Sequence, residues 1–211
     1  MKKSRHYVTF GFIFLVFLSF VISLSTLNSC ATLNALVGLT RAQFKIQDAV
    51  GYRLSGVDIT NKHSLTDFSL GDGLNMMNSF RTGKFPLTFT INVAVKNPNQ
   101  HQAGSGLSSL SLSEFPWRLM LDGKETITGG IGSPVYLPDG GATTTIPLQV
   151  SVDLKEFFAD KGYDGVIGLA LAIAGQGSSK ITLKAQPTIS TPIGSMKYPN
   201  ELTIVNTEFR N

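Results

Sequence analysis

Six apolar side chains fall on alternate positions near the middle of the chain: Phe85, Leu87, Phe89, Ile91, Val93 and Val95. Between them stand Pro86, Thr88, Thr90, Asn92, Ala94 and Lys96. Successive side chains of a strand point to opposite faces. A period of two held this long therefore specifies a strand with one buried and one wetter face. The run stops at Asn97-Pro98-Asn99. Pro98 fixes its own φ near −65° and biases Asn97 towards extended geometry. Asn99 tolerates the left-handed region and can bond its own backbone, so the chain turns there.

Other segments repeat the pattern. Residues 43–59 alternate through Phe44 and Ile46, then Tyr52, Leu54, Val57 and Ile59, and Gly56 suggests a bulge. Residues 107–123 read as one long strand region. Its apolar set shifts register between Leu112 and Phe115, which a bulge near Ser113–Pro116 would absorb. Asp122-Gly123 predicts a hairpin turn. Short strands are expected over 124–137, a turn at Asp139-Gly140-Gly141, and a clean strand over 143–152. Ile181, Leu183 and Ala185 begin another strand, and Leu202 to Val205 a last one, joined through Thr191-Pro192-Ile193-Gly194.

Helical spacing is confined to two places. Leu74, Met77 and Phe80, with Met76 beside them, predict a helix over 72–82. Asp72 would cap it, Gly83 would end it, and its methionines would pack on a sheet edge. Asp153 and Glu156 read as a capping box, followed by Leu154, Phe157 and Phe158. Residues 164–175 carry both a helical stripe and a period of two, and the upstream cap favours helix. These elements predict an all-β fold of two stacked sheets with one or two accessory helices.

The N-terminus sets an address. Lys2, Lys3, Arg5 and His6 precede an apolar run over residues 8–24, and Leu27-Asn28-Ser29-Cys30 follows. A basic region, an apolar region and small residues before a cut site describe a secretory signal. With Cys30 at the cut, they describe a lipoprotein signal. The organisation expected is a signal over 1–29, acylated Cys30 and a tether over 30–44, the sandwich over 45–206, and a tail over 207–211. The protein would then sit in a bacterial cell envelope, on the outer membrane and facing the periplasm, held by the acyl chains on Cys30. Two other readings stay open: an uncleaved transmembrane anchor, and a plain signal peptide with a chance cysteine.

Cleavage would also change the charge. The signal holds three of the 18 Lys and Arg and none of the 14 Asp and Glu, so 15 bases face 14 acids afterwards. That balance gives no support for a nucleic-acid partner. Cys30 is the only cysteine, so its acylation leaves no disulfide, thiol nucleophile or cysteine metal site.

The alternating strand that ends in Asn97-Pro98-Asn99 resembles the core motif of the late embryogenesis abundant group 2 family, also called the water stress and hypersensitive response (WHy) domain. Leu110 and Leu112 before Trp117–Gly123, Ile146-Pro147-Leu148 before the Asp153 helix, and Thr191-Pro192-Ile193-Gly194 fall in the family's order, over roughly 45–206. The resemblance implies an all-β, immunoglobulin- or fibronectin-III-like β-sandwich with one or two accessory helices and a non-catalytic role linked to desiccation and stress, with Asn97, Pro98 and Asn99 as a structural turn. The helical insertion within 60–84 and the lipidation depart from the family pattern.

No catalytic constellation is visible. His63 and His101 lie in polar loop sequence without metal-ligand spacing beside them. No Gly-x-Ser-x-Gly elbow occurs. Gly104-Ser105-Gly106 and Gly175-Gln176-Gly177 lack the context of a phosphate loop. Trp117 on an apolar strand reads as core, with glycan stacking the minority reading. No enzyme, metal or cofactor is expected. The function expected is a membrane-anchored stress-associated or interaction domain. The alternatives are a binder of lipid or another apolar molecule, with residues 154–174 over one mouth of the sandwich, and a structural subunit of an envelope complex.

Overall fold

A computed structural model of the chain describes residues 42–99, 110–175, 181–191 and 194–205. Cys30, the signal, His101, Gly104-Ser105-Gly106, Gln176-Gly177, Pro192-Ile193 and the tail over 207–211 lie outside the described residues.

The fold is an all-β sandwich with accessory helices. Its first layer contains β1 (Gln43–Leu54), β2 (Val57–Asp58), β3 (Pro86–Lys96) and β8 (Thr143–Asp153), in the order β2-β1-β3-β8. β3 and β8 run antiparallel in unbroken register from Pro86↔Asp153 to Lys96↔Thr143. The alternating set from Leu87 to Val95 is buried, and so are Ile146, Leu148, Val150 and Val152 opposite it.

The second layer is built from eight strands that act as four. β4 (Leu110–Glu114), β7 (Val135–Leu137), β10 (Thr188–Thr191) and β11 (Gly194–Lys197) form one sheet in the order β11-β10-β4-β7. β5 (Trp117–Leu121), β6 (Lys124–Gly129), β9 (Ile181–Ala185) and β12 (Leu202–Ile204) form another in the order β12-β9-β5-β6. The two orders match strand for strand, so these sheets are the two halves of one bent layer. Pro116 and Pro187 stand in the gaps of the two central strands, where a missing N–H cannot continue a ladder. Across the bend Gln186 N–H donates to Pro116 O at 3.1 Å, and Tyr198 N–H to Pro187 O at 2.7 Å.

This corrects the single strand expected over 107–123. A bulge does occur, since Thr188 pairs Glu114 while Ile189 pairs Leu112, leaving Ser113 extra. The larger change is that the chain crosses from one half of the layer to the other at Phe115-Pro116. The bulge expected at Gly56 is instead a tight turn into β2, with Leu54 paired to Val57. The irregularities of β1 lie between Ile46 and Asp48 and between Val50 and Arg53. At Asp122-Gly123 both residues have positive φ, 48° and 79°, and Leu121 pairs Lys124 across a two-residue hairpin.

The buried faces share one core. Tyr52 stacks on Phe89 at 5.0 Å between ring centroids. Burial first, and the charge of Asp48 second, push its hydroxyl pKa up to about 12. Trp117 faces Gly129 in the β5–β6 ladder and is buried among the core side chains.

Candidate functional site

The helices gather at one end of the first layer. α1 spans Leu70–Arg81 between β2 and β3. α2 (Leu154–Phe158) leaves directly from β8, and α3 (Gly162–Gly175) follows it. Residues 164–175 are therefore helical.

Asp153 caps α2 and ties it to the sheet. One carboxylate oxygen accepts from Lys155 N–H and from Phe85 N–H, both at 3.0 Å. The reciprocal Glu156 bond of the expected capping box is not formed. α1 also starts earlier than residue 72. Ser69 is its N-cap, and its hydroxyl accepts from Asp72 N–H at 3.1 Å. The Asp72 carboxylate returns a bond to Ser69 N–H. Asp72 is thus the third residue of the helix rather than its cap. A short 3₁₀ turn at Leu65–Asp67 precedes it, and Asp67 accepts from the N–H groups of His63 and Ser64. These bonds hold the Asp67 and Asp72 carboxyls below their ordinary range.

α1 buries only part of the expected apolar set. Met76 is fully buried and Phe80 half-buried. Phe80 meets Phe85 edge-on at 5.4 Å and Tyr163 at 5.3 Å, so three rings join α1, β3 and α3. Lys155 lies over the Phe80 ring, and its Nζ donates to Phe80 O at 2.7 Å. The face expected inside, with Leu74 and Met77, points outward instead. Leu70 is 83% exposed, Leu74 60%, Leu65 49% and Met77 48%. The packing of methionines on a sheet edge therefore holds for neither in the expected form: Met76 enters the core and Met77 leaves it.

A groove of about 340 Å³ lies between α1, the 3₁₀ turn and α3. Leu65, Phe68, Leu70, Leu74 and Met77 form one side, and Tyr163 and Ile167 of α3 the other. Its polar side chains are already engaged: the Ser69 hydroxyl in its cap, and the Tyr163 hydroxyl as donor to Gly73 O at 3.4 Å. The sequence did carry a signal for this site. Ser69-x-x-Asp72 before an apolar run is a helix start, and it leaves two apolar stripes on one helix, Met76–Phe80 and Leu70–Leu74–Met77. A single sheet edge can cover only one of them.

The structure puts the other sequence-derived residues elsewhere. Asn97, Pro98 and Asn99 lie at the opposite end of β3. Asn97 is fully buried; its Nδ2 donates to Leu137 O at 3.1 Å and its Oδ1 accepts from Asn99 N–H at 3.2 Å. Gly140 and Gly141, both at positive φ, donate their N–H groups to Asn99 O and Asn97 O. This turn is knitted to the β7–β8 connection and presents no pocket with the groove. His63 is exposed beside the 3₁₀ turn, with only its backbone N–H bonded to Asp67. Among the described residues no cluster of three or more His, Cys, Asp or Glu side chains could hold a metal ion, and no helix is long and apolar enough to cross a membrane.

No protein-family model and no curated protein matches the chain. Several solved structures resemble it at low identity. A protein from Archaeoglobus fulgidus is 15% identical, with 58% of this chain and 88% of that chain covered at a TM-score of 0.31. A protein from Arabidopsis thaliana, solved in solution, is 16% identical over 80% of this chain and 87% of its own, at 0.32. A protein described as a candidate late embryogenesis abundant protein is 16% identical over 89% of each chain, also at 0.32. Likenesses this distant carry no argument about activity.

Proposed function

We propose that the protein is a non-catalytic, stress-associated interaction domain, anchored to the membrane through acylated Cys30 and facing the periplasm, and that it meets its partner at the apolar groove between α1 and α3. One observation carries the reading. Of the six large hydrophobic residues exposed among the described residues, four (Leu65, Leu70, Leu74 and Met77) lie within thirteen positions on one surface. Single exposed apolar residues are ordinary, but a contiguous patch rimmed by polar groups marks a contact surface.

The position of the patch supports the same reading. Gln43, where β1 begins, pairs Lys96, whereas the helical end adjoins Pro86 and Asp153. The groove and the start of β1 therefore lie at opposite ends of β3, whose ends are about 33 Å apart at ~3.3 Å per residue. A domain tethered at one end offers the groove at the other.

The test compares cells carrying the wild-type chain, Cys30→Ala, or Leu70→Glu/Leu74→Glu. Fractionation and survival after drying or osmotic shock are measured at matched protein levels. Cys30→Ala is expected to leave the membrane fraction, and both variants to lose protection. Unchanged survival of the groove variant would remove the groove from the function. Unchanged membrane association of Cys30→Ala would make residues 8–24 an uncleaved anchor.

A further inference from the structure

We infer that the groove binds a single-chain anionic amphiphile, a fatty acid, with its aliphatic chain between α1 and α3 and its carboxylate towards Arg81. The inference rests on the groove being the working surface, and it names the occupant.

The lining selects the chain. The Ser69 and Tyr163 hydroxyls are already bonded, and beyond its first turn the backbone N–H groups of α1 are bonded within the helix. A sugar or an extended peptide laid here would lose water from its own polar groups without replacement, which is unfavourable for each of them. An aliphatic chain has no such groups. The volume of about 340 Å³ sits near the lower end of the ~300–1,000 Å³ usual for small-molecule sites, and suits one chain rather than two. Met77 adds unbranched, adaptable thioether surface that moulds to a chain without a fixed shape.

The rim selects the headgroup. Leu70, Leu74, Met77 and Arg81 recur at helical spacing along one stripe of α1, so the apolar surface ends in a guanidinium. No hydrogen bond or ion pair engages the Arg81 side chain among the described residues. A guanidinium accepts a carboxylate in two parallel hydrogen bonds.

The chain's own tether is a poor rival. Residues 31–41 precede β1 at the far end of the sandwich. Eleven residues span at most about 40 Å when fully extended, so crossing the length of β3 would use most of it and leave only a residue or two to fill the groove.

The experiment uses the full-length chain in phosphatidylcholine vesicles with a photoactivatable dodecanoic acid, followed by peptide mapping. Adducts are expected in the peptides containing 65–77 and 163–167, competed by excess unlabelled dodecanoate and more weakly by dodecanol. Leu74→Glu is expected to lower adduct yield about tenfold. Arg81→Gln is expected to remove the preference for dodecanoate over dodecanol while keeping the adducts. Leu74 is exposed, so its substitution leaves folding intact; Met77→Glu serves as a second disruption of the same wall. Adducts that resist competition would mean that α1 rests on the bilayer, and would overturn the inference. So would adducts spread over the sandwich or indifferent to Leu74→Glu. If such a failure came with a Leu70→Glu/Leu74→Glu variant that still lost protection in cells, the groove would serve another partner and only the fatty acid would be wrong. If protection were also unchanged, both readings would fall.

Discussion

Gly129→Ala tests how the core seats the sole tryptophan. Gly129 and Trp117 are directly paired across the β5–β6 ladder. A Cβ at 129 would lie 2.3 Å from Cζ2, 2.6 Å from Cε2 and 2.8 Å from Cη2 of the indole. Carbon atoms pack best at ~3.5–4.0 Å, so the overlap exceeds 1 Å on a rigid ring. Trp117 is only 7% exposed and packs within the core, so it has little room to retreat. Overpacking of this kind costs ~1–3 kcal/mol. Replacing glycine by alanine returns ~0.4–1 kcal/mol by restricting the unfolded chain, because the φ of Gly129 is not positive. The expected net loss is about 1–2 kcal/mol, or a fall in Tm of ~2–8 °C for a domain of this size. Trp117 is the only tryptophan, so its fluorescence reports both the melt and the local environment. The companion Trp117→Phe/Gly129→Ala should be more stable than the two single effects sum to, since a phenyl ring leaves space for the methyl. A Gly129→Ala protein that melted like the wild type with unshifted emission would refute the packing argument.

Asn97→Ala should destabilise by ~1–3 kcal/mol in urea unfolding, because it removes a buried donor to Leu137 O and the acceptor of Asn99 N–H. Met76→Ala should cost ~2–5 kcal/mol, while Met77→Ala, one residue along but exposed, should stay within about 0.5 kcal/mol. Equal effects of the two would mean that the face of α1 has been misassigned. Asp153→Ala should cost ~1–2 kcal/mol in thermal melts through the lost cap on α2. Acid should loosen the 63–81 segment locally. The Asp67 and Asp72 carboxyls are depressed by their bonds to His63, Ser64 and Ser69, so their contribution is complete above the unfolded carboxylate range. It is lost as pH falls through their lowered folded values. Hydrogen exchange at 63–81 should therefore accelerate at low pH before that of β3, and equal acceleration would count against it.

The strands were the legible part of the chain. Phe85–Val95 and Ile146–Val152 read correctly because a period of two is a local property, and one buried face fixes the register of both. The bend at Phe115-Pro116 was half legible. The register shift was visible in the sequence, but the matching break at Pro187 lies some seventy residues away, and only pairing brings the two together. The start of α1 was misread because Asp72 resembles a cap, while Ser69 three residues earlier accepts from it. Wherever it starts, α1 buries Met76 and part of Phe80 and leaves Leu74 and Met77 exposed. The groove was therefore hidden by the rule that apolar residues go inside, since nothing local separates an apolar stripe that packs on the sheet from one that does not.

The two ends of the sandwich differ in kind. At the Asn97 end, the side-chain amide bonds Leu137 O and Asn99 N–H while the N–H groups of Gly140 and Gly141 donate to Asn99 O and Asn97 O, and the turn is held by internal bonds. At the α1 end, the tandem capping boxes Ser64–Asp67 and Ser69–Asp72, the three rings of Phe80, Phe85 and Tyr163, and the bond from Lys155 to Phe80 O hold the helix in place. The outward apolar stripe cannot then be relieved by rolling the helix, because rolling would break those contacts and expose Met76. Leu70, Leu74 and Met77 are thus displayed by a fixed support. A preformed apolar surface binds without first paying for order, and that is how a contact site on a rigid scaffold is built.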